Sequence, residues 1–269
     1  MKQSPREAAI AWHYDQVSAS YVHTDLRMEQ VMRRLSGIAE GASILDVGCA
    51  TGNLLLRLHR VRPGGRAVGV DISTGALERA SRHAREMNLE NVEFRRGSAT
   101  ALPCDDAEFH VAVSNMVLHL IPDRRTALAE LVRVLRPGGR AVLRFMGGAE
   151  VLPEWIGLLR SAWMAHLPDR EPPVLFHAIT TQEIESLLGE LGIREFEIVR
   201  RHSVNPVRET DVEDRLRMLR LVSDFWRHDL DPGIADRIGT HMEHALRESV
   251  ARHGSFPITA NNLLVDFLR

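Results

Sequence analysis

Two acids and two glycines, set around short apolar runs, are the residues of this chain whose types and spacing could do chemistry. The segment Ile44-Leu45-Asp46-Val47-Gly48-Cys49-Ala50-Thr51-Gly52-Asn53 reads as a buried strand carrying an acid, then a glycine-bearing turn that leads into a helix. Glycine at 48 and 52 lets backbone approach a ligand closely above the strand end. A second acid, Asp71, closes the run Val68-Gly69-Val70-Asp71, 23 residues after Gly48. A carboxylate there accepts hydrogen bonds from both hydroxyls of a ribose, which implies an adenosine-containing ligand. A dinucleotide-binding G-x-G-x-x-G turn would place glycines at 50 and 53, where the chain has Ala50 and Asn53. No pyrophosphate cradle is therefore expected, and nicotinamide-dependent reduction fails on the same two positions. Asp46 suits a ligand with a cationic aminoacyl end better than one with two phosphates. Taken alone, the segment competes with a chance glycine turn in some other α/β protein.

The elements that must position these residues follow from the apolar pattern. Strand signals at 43–47, 67–71, 92–95, 110–114 and 140–145 alternate with helical stretches at 53–60, 75–87 and 124–135. That rhythm predicts a parallel sheet covered on both faces. Turns fall at Pro63-Gly64-Gly65 and Pro137-Gly138-Gly139. Before the first strand, Ala8, Ala9, Trp12, Val17 and Tyr21, then Leu26, Val31, Leu35 and Ile38, recur at roughly helical spacing.

After Phe145 the rhythm breaks. Residues 147–178 hold one aromatic helix (Trp155, Leu159, Trp163) and the proline-rich loop Glu171-Pro172-Pro173. Thr180 opens a helix as a capping box with Glu183, and Gly192 ends it. A sixth strand is expected at 195–200 and a last one at 262–268, with helices between them on the stripe Val212, Leu216, Leu219, Val222 and Phe225 and from Asp231-Pro232 to Gly254. With no repeat or flexible linker in view, the pieces at 147–179 and 203–254 read as insertions in one domain, forming a helical cap.

Bulk properties exclude several function classes. Net charge is −2 with both signs mixed, so no basic footprint argues for nucleic acid. The apolar runs are too short to span a bilayer, and the first ten residues lack the apolar core of a signal peptide. Cys49 and Cys104 make neither a metal-ligand pattern nor a disulfide framework, which fits a reducing cytoplasm.

In order along the chain, the 46–53 loop, Val70-Asp71-Ile72-Ser73, Gly97-Ser98-Ala99-Thr100-Ala101-Leu102-Pro103, and the pair 114–123 with Arg133-Val134-Leu135-Arg136-Pro137-Gly138-Gly139-Arg140 together resemble the class I (seven-strand) S-adenosylmethionine-dependent methyltransferases. The similarity is to the small-molecule group that includes ubiquinone/menaquinone-biosynthesis enzymes, and it is close over about residues 35–146. It implies an α/β fold with a Rossmann-like seven-stranded sheet, mostly parallel with an antiparallel last strand, helices on both faces and a helical cap. Residues 1–42 would be an N-terminal helical lid and 43–269 the cofactor-binding core, with the cap insertions at 147–179 and 203–254.

Carried over residue by residue, the resemblance implies that Gly48, Cys49 and Gly52 line the methionine part of S-adenosyl-L-methionine while Asp46 shapes the turn. Asp71 would hold the ribose and Ile72 pack on the adenine. Ser98 and Ala99 would sit at the adenine edge, and Ser114 and Asn115 beside the sulfonium and the acceptor. The family often has aspartate where this chain has Ser98, whose hydroxyl makes a weaker contact. His119 is the candidate general base, with packing as its competing role. Tyr21, like Tyr14, lies in the lid and could orient the substrate, seal the site or simply pack.

The expected reaction is direct in-line methyl transfer to a small apolar or aromatic metabolite, with no metal. A fold that keeps S-adenosylmethionine but catalyses a pericyclic or elimination step is the alternative. The partner expected is a small-molecule acceptor, with no nucleic acid and no membrane; apolar cap helices could also pair in a homodimer.

Overall fold

Apolar runs four or five residues long become strands buried on both faces in the computed structural model of the chain, as central parallel strands require. The structure describes residues 10–11, 25–148, 152–172, 177, 179–213, 215–216 and 230–269. Its elements are α1 (Asp25–Arg34), β1 (Ile44–Val47), α2 (Asn53–Val61), β2 (Ala67–Asp71), α3 (Thr74–Glu86), β3 (Val92–Arg96) and β4 (Phe109–Asn115). There follow α4 (Arg124–Val134), β5 (Leu135–Met146), α5 (Pro153–His166), α6 (Thr181–Glu190), β6 (Phe196–Val207), α7 (Pro232–His253) and β7 (Phe256–Leu268).

Seven strands form one sheet in the order β3-β2-β1-β4-β5-β7-β6. β1 pairs in parallel with β2 and β4, β2 with β3, and β4 with β5, whereas β7 runs antiparallel to β5. This is the Rossmann-like α/β class expected from the sequence, reversed last strand included. From β1 the chain steps outward to β2 and β3, then crosses back to β4. At such a reversal a crevice opens beyond the carboxyl ends of β1 and β4, where ligands of open α/β sheets bind.

Helix starts are fixed by side-chain caps. Ser73 Oγ accepts the Ala76 N–H at 3.0 Å before α3, and Asp123 Oδ1 accepts the Thr126 N–H at 3.0 Å before α4. Thr180 Oγ1 accepts the Glu183 N–H at 3.1 Å before α6, while the Glu183 carboxylate pairs with Arg124 of α4. Asp231 accepts the N–H groups of Gly233 and Ile234, and Gly254, with φ 76°, ends α7 as expected. Each such cap stabilises its helix by about 1 kcal/mol.

The described chain divides into two compact units, Met1–Gly147 with Ile179–Arg200 and Asn262–Arg269, and Gly148–Ala178 with Arg201–Asn261. In the first, one face of the sheet (Leu45, Val47, Ala141, Leu143, Phe145) packs on Leu128, Leu131, Ile184 and Leu188 of α4 and α6. The other face (Ile44, Val111, Val113, Val142, Leu264) packs on Met28 and Val31 of α1 and on Leu54, Leu55 and Leu58 of α2. Neighbouring residues of one strand thus serve opposite cores, the period-two alternation of a strand. The second unit has its own core, in which Trp155, Leu159 and Trp163 of α5 meet Ile238, Met242 and Leu246 of α7.

Three strands are longer than the apolar pattern predicts. β5 begins at Leu135 and runs through the expected Pro-Gly-Gly turn, with Gly138 at φ 75° and a register shift between Phe109 and Val111 on β4. β6 continues to Val207 and β7 begins at Phe256, through residues that are mostly polar or partly exposed and so carry no apolar signal. Ile10 and Ala11 are helical, whereas Ala8, Ala9, Trp12, Tyr14, Val17 and Tyr21 lie outside the described residues, as do Leu219, Val222 and Phe225. Among the described residues no helix is long and apolar enough to cross a membrane.

Candidate functional site

The turn leaving β1 is built by the neighbouring strand. Val70 O of β2 accepts the N–H groups of both Gly48 (2.8 Å) and Cys49 (3.1 Å), and Cys49 O accepts the Gly52 N–H at 2.9 Å. Gly48 and Gly52 both have positive φ, 73° and 81°, where a side chain is strained. A Cβ on Gly48 would overlap Val117 Cγ2, and one on Gly52 would sit 3.0 Å from Phe94 Cζ and 3.1 Å from Ala80 Cβ. The clearance at these glycines is therefore taken up by protein side chains. The crowding that demands glycine at these two positions comes from within the fold.

Between the glycines, Ala50 adopts φ 47°, an uncommon conformation for a residue with a side chain. Its N–H donates to Asp71 Oδ2 at 2.8 Å, while Asp71 Oδ1 accepts the Ser73 N–H at 2.9 Å. One carboxylate at the end of β2 thus ties together the turns after β1 and β2. Ile72, the next residue, is half-buried.

Asp46 is 2% exposed. Burial first, and then the nearby charge of Asp71, push its carboxyl up to about 8, against the pull of a hydrogen bond from the Leu55 N–H. Near neutral pH it holds its proton until a positive charge arrives. Cys49 is buried beside the same two acids, and burial above all raises its thiol well out of the reactive range.

Past β3, the Gly97 N–H donates to Asp71 O at 3.0 Å, so the next loop hangs from the same point. Ser98 Oγ lies 2.9 Å from Thr100 Oγ1 and accepts the Thr100 N–H at 3.2 Å, closing its own turn. Ala99 packs against the α4 core. The far end of the loop is held by α4: Glu130 Oε2 accepts the Leu102 N–H at 2.7 Å, and Arg133 donates to the carbonyls of Leu102 and Cys104.

On the other side of the crevice, buried Ser114 donates its hydroxyl to Val47 O at 2.9 Å, joining β4 to β1 where both strands end. Asn115 follows, half-buried, with its Oδ1 accepting from Arg144 Nη1 at 3.4 Å. Arg144 Nη2 also donates to Asn262 Oδ1 on β7 at 3.0 Å. Arg144 was not singled out in the sequence. Its signal was a lone cation in the apolar run Ala141-Val142-Leu143-Arg144-Phe145.

His119 lies in a short 3-10 turn, Leu118–Leu120, and is 2% exposed. Burial, then the positive charges of Arg144 and Arg124, push its imidazole down to about 3. An imidazole this hard to protonate is a weak proton acceptor, and its burial fits packing, the role that competes with that of a base. Tyr21 lies outside the described residues.

The structure thus brings Asp46, Gly48, Cys49, Gly52, Asp71, Ile72, Ser98 and Ala99 to the turns after β1, β2 and β3, and Ser114 and Asn115 to the end of β4. Asp46 and Asp71 stand on the β1–β2 side, and the buried guanidinium of Arg144 reaches Asn115 at the end of β4. Among the described residues no group of three or more His, Cys, Asp or Glu could hold a metal ion.

Comparison with known proteins agrees with this geometry. A family model described as "Methyltransferase domain" matches residues 38–192. A demethylmenaquinone methyltransferase of Lactococcus lactis subsp. lactis is 38% identical over 137 residues, covering 50% of this chain and 54% of the relative. An O-methyltransferase, resE, of Aspergillus sclerotiorum is 31% identical over 204 residues, covering 73% of this chain and 67% of the relative. The chain spans about half the length of the curated relatives it matches first. Among solved structures, a geranyl diphosphate C-methyltransferase of Streptomyces coelicolor A3(2), crystallised with Mg2+, geranyl diphosphate and S-adenosyl-L-homocysteine, superposes with a TM-score of 0.61 at 18% identity, covering 99% of each chain.

Proposed function

The chain belongs to the methyltransferase-domain family, and on that premise we propose that it transfers a methyl group from S-adenosyl-L-methionine to a small apolar or aromatic metabolite in the cytoplasm. The observation that carries this reading is the pair of acids flanking the β1 turn. Asp71 binds both neighbouring turns by hydrogen bonds, and Asp46, buried with its proton, is poised to compensate a cation.

The residues fit the cofactor. Asp71 takes the ribose hydroxyls, Ile72 packs on the adenine, and the Ser98–Ala99 turn borders the adenine edge. Backbone of Gly48, Cys49 and Gly52 meets the aminoacyl end, whose ammonium favours the ionised form of Asp46. Ser114 and Asn115 face the reacting region from the end of β4. When bound, S-adenosyl-L-methionine supplies a methyl group already activated on a sulfonium. What remains to the protein is to align the acceptor and exclude water, and alignment supplies up to about 7–11 kcal/mol in the best intramolecular models. His119, whose imidazole burial makes hard to protonate, is assigned to packing rather than to proton transfer in this reading.

The sequence relatives described above carry methyl-transfer names, which favours methylation over the pericyclic or elimination alternative. The test is calorimetric titration with S-adenosylmethionine and S-adenosylhomocysteine, followed by transfer of labelled methyl to a panel of small aromatics. Asp71→Ala is expected to weaken binding at least about tenfold, the worth of hydrogen bonds to a charged group. Unchanged affinity in that variant, or preference for a phosphate-bearing nucleotide, would end the reading.

A further inference from the structure

Gly69 sits in the interior of β2 with a φ outside the left-handed region, so the reason for glycine there is space. A Cβ at that point would stand 2.7 Å from Phe94 Cδ1 and 2.8 Å from Cys49 Sγ. Phe94 is the register partner of Gly69 on β3, the edge strand. Its ring reaches on to the turn after β1, where Phe94 Cζ lies 3.0 Å from a Cβ built on Gly52. One aromatic ring thus fills the space that two glycines leave, with the Cys49 sulfur beside it.

The turn on which this ring bears is conformationally costly. Residues 48, 50 and 52 all have positive φ, and Ala50 does so with a side chain. Such a conformation persists where the surroundings over-determine it. Asp71 accepts the Ala50 N–H, and Val70 O accepts those of Gly48 and Cys49. Phe94 adds a flat, rigid surface beside Cys49 Sγ and against Gly52, the residues that flank the Ala50–Thr51 pair. The ring is itself braced, since Phe94 packs on the core that includes Leu54, Leu55 and Leu58 of α2.

We propose that Phe94 is a positioning residue of the cofactor site, its ring holding the 48–52 turn in the shape that receives S-adenosyl-L-methionine. This deepens the methyl-transfer reading and rests on it. The ring acts through the turn rather than by contact with the ligand. An aromatic side chain suits the task because it is thin, stiff and long enough to reach from β3 across Gly69 to Gly52. Leucine ends short of the ring's Cζ, so it would cover Gly69 and leave Gly52 without support. The turn would then relax, and cofactor binding would have to restore it. A protein whose binding-competent form is only partly populated loses affinity by that fraction.

The test compares the full chain with its Phe94→Leu and Phe94→Met variants. Each is titrated calorimetrically with S-adenosylhomocysteine, and amide hydrogen exchange at Ala50 is measured in the free protein relative to Val47 in β1. Phe94→Leu is expected to bind about fivefold or more weakly, the low end of what restoring one such residue costs. Its Ala50 amide should exchange faster. Phe94→Met, unbranched and about as long, is expected to keep part of the affinity, while its flexibility still speeds exchange at Ala50. Urea unfolding of the same proteins separates this from lost packing, which would lower the midpoint and leave both other readings unchanged. Native affinity in folded Phe94→Leu, or native exchange at its Ala50, overturns the proposal. If Phe94→Leu does not fold, Phe94→Met decides, and native exchange at Ala50 in that variant overturns the proposal. Failure of S-adenosylhomocysteine to bind the unmodified chain overturns instead the cofactor reading beneath it, and exchange at Ala50 still reports whether the ring holds the turn.

Discussion

Replacing Asp46 by asparagine should flatten the pH dependence of stability, and by a calculable amount. In the folded chain without ligand the Asp46 carboxyl lies at about 8, against an ordinary 3.8. The unfolded chain therefore ionises this group first. Folding in the intervening range takes up a proton, so the contribution is fully present below the ordinary value and is lost as pH rises towards about 8. The loss runs at about 1.36 kcal/mol per pH unit. Between pH 5 and pH 7, both inside that window, Asp46 should cost the chain about 2–3 kcal/mol. Asp46→Asn keeps the shape and cannot ionise, so every other titration is shared and only this one disappears.

Urea unfolding of both proteins at the two pH values, without cofactor, measures the difference as a change in midpoint at constant slope. The native chain should lose about 2–3 kcal/mol more than the variant on going from pH 5 to pH 7. Equal losses in the two proteins would refute the assignment of a buried, protonated Asp46. The same group couples to the ligand. A bound cationic aminoacyl end draws Asp46 back to its ionised form, so binding near pH 7 should release a proton, visible as calorimetric enthalpies that differ between buffers. Asp46→Asn should abolish that release.

Two further expectations follow from the geometry. Gly48→Ala combines a left-handed φ with overlap on Val117, and should destabilise by at least about 1–2 kcal/mol; adding Val117→Ala should recover the part due to overlap in thermal unfolding, and no recovery would mean that backbone strain alone matters. His119→Gln should leave the shape of the kcat/KM profile unchanged between about pH 5.5 and about pH 9, because the imidazole is neutral throughout. Disappearance of an acidic limb near pH 6 in that variant would restore His119 as a base.

Much of the fold was legible because the parallel core writes itself as short apolar runs between turn residues. Ile44–Val47 and Ala67–Asp71 are buried as continuous stretches, so their hydrophobicity needs no periodicity to be seen. The outer halves of β6 and β7 escaped notice for the opposite reason, since Arg201, His202, Ser203 and Asn205 face solvent and mimic a loop. At the site, Asp71 and the glycines announced themselves by spacing. The position of Arg144 could not be weighed without the sheet, because its partners Asn115 and Asn262 come from strands far apart in the sequence. His119 shows the reverse case. Its residue type suggested acid–base chemistry, and only burial and two neighbouring arginines reveal that it stays neutral.

The sheet order has a consequence for the chain as it emerges from the ribosome. β7 is synthesised after β6 yet is inserted between β5 and β6. During translation of α7, the outer edge of β5 therefore stands open and β6 has no neighbour to dock on. An open edge invites pairing with other strands, and for this chain the hazard lasts for the whole interval between the two syntheses. Chaperone engagement should concentrate in that interval and cease once β7 clears the exit tunnel.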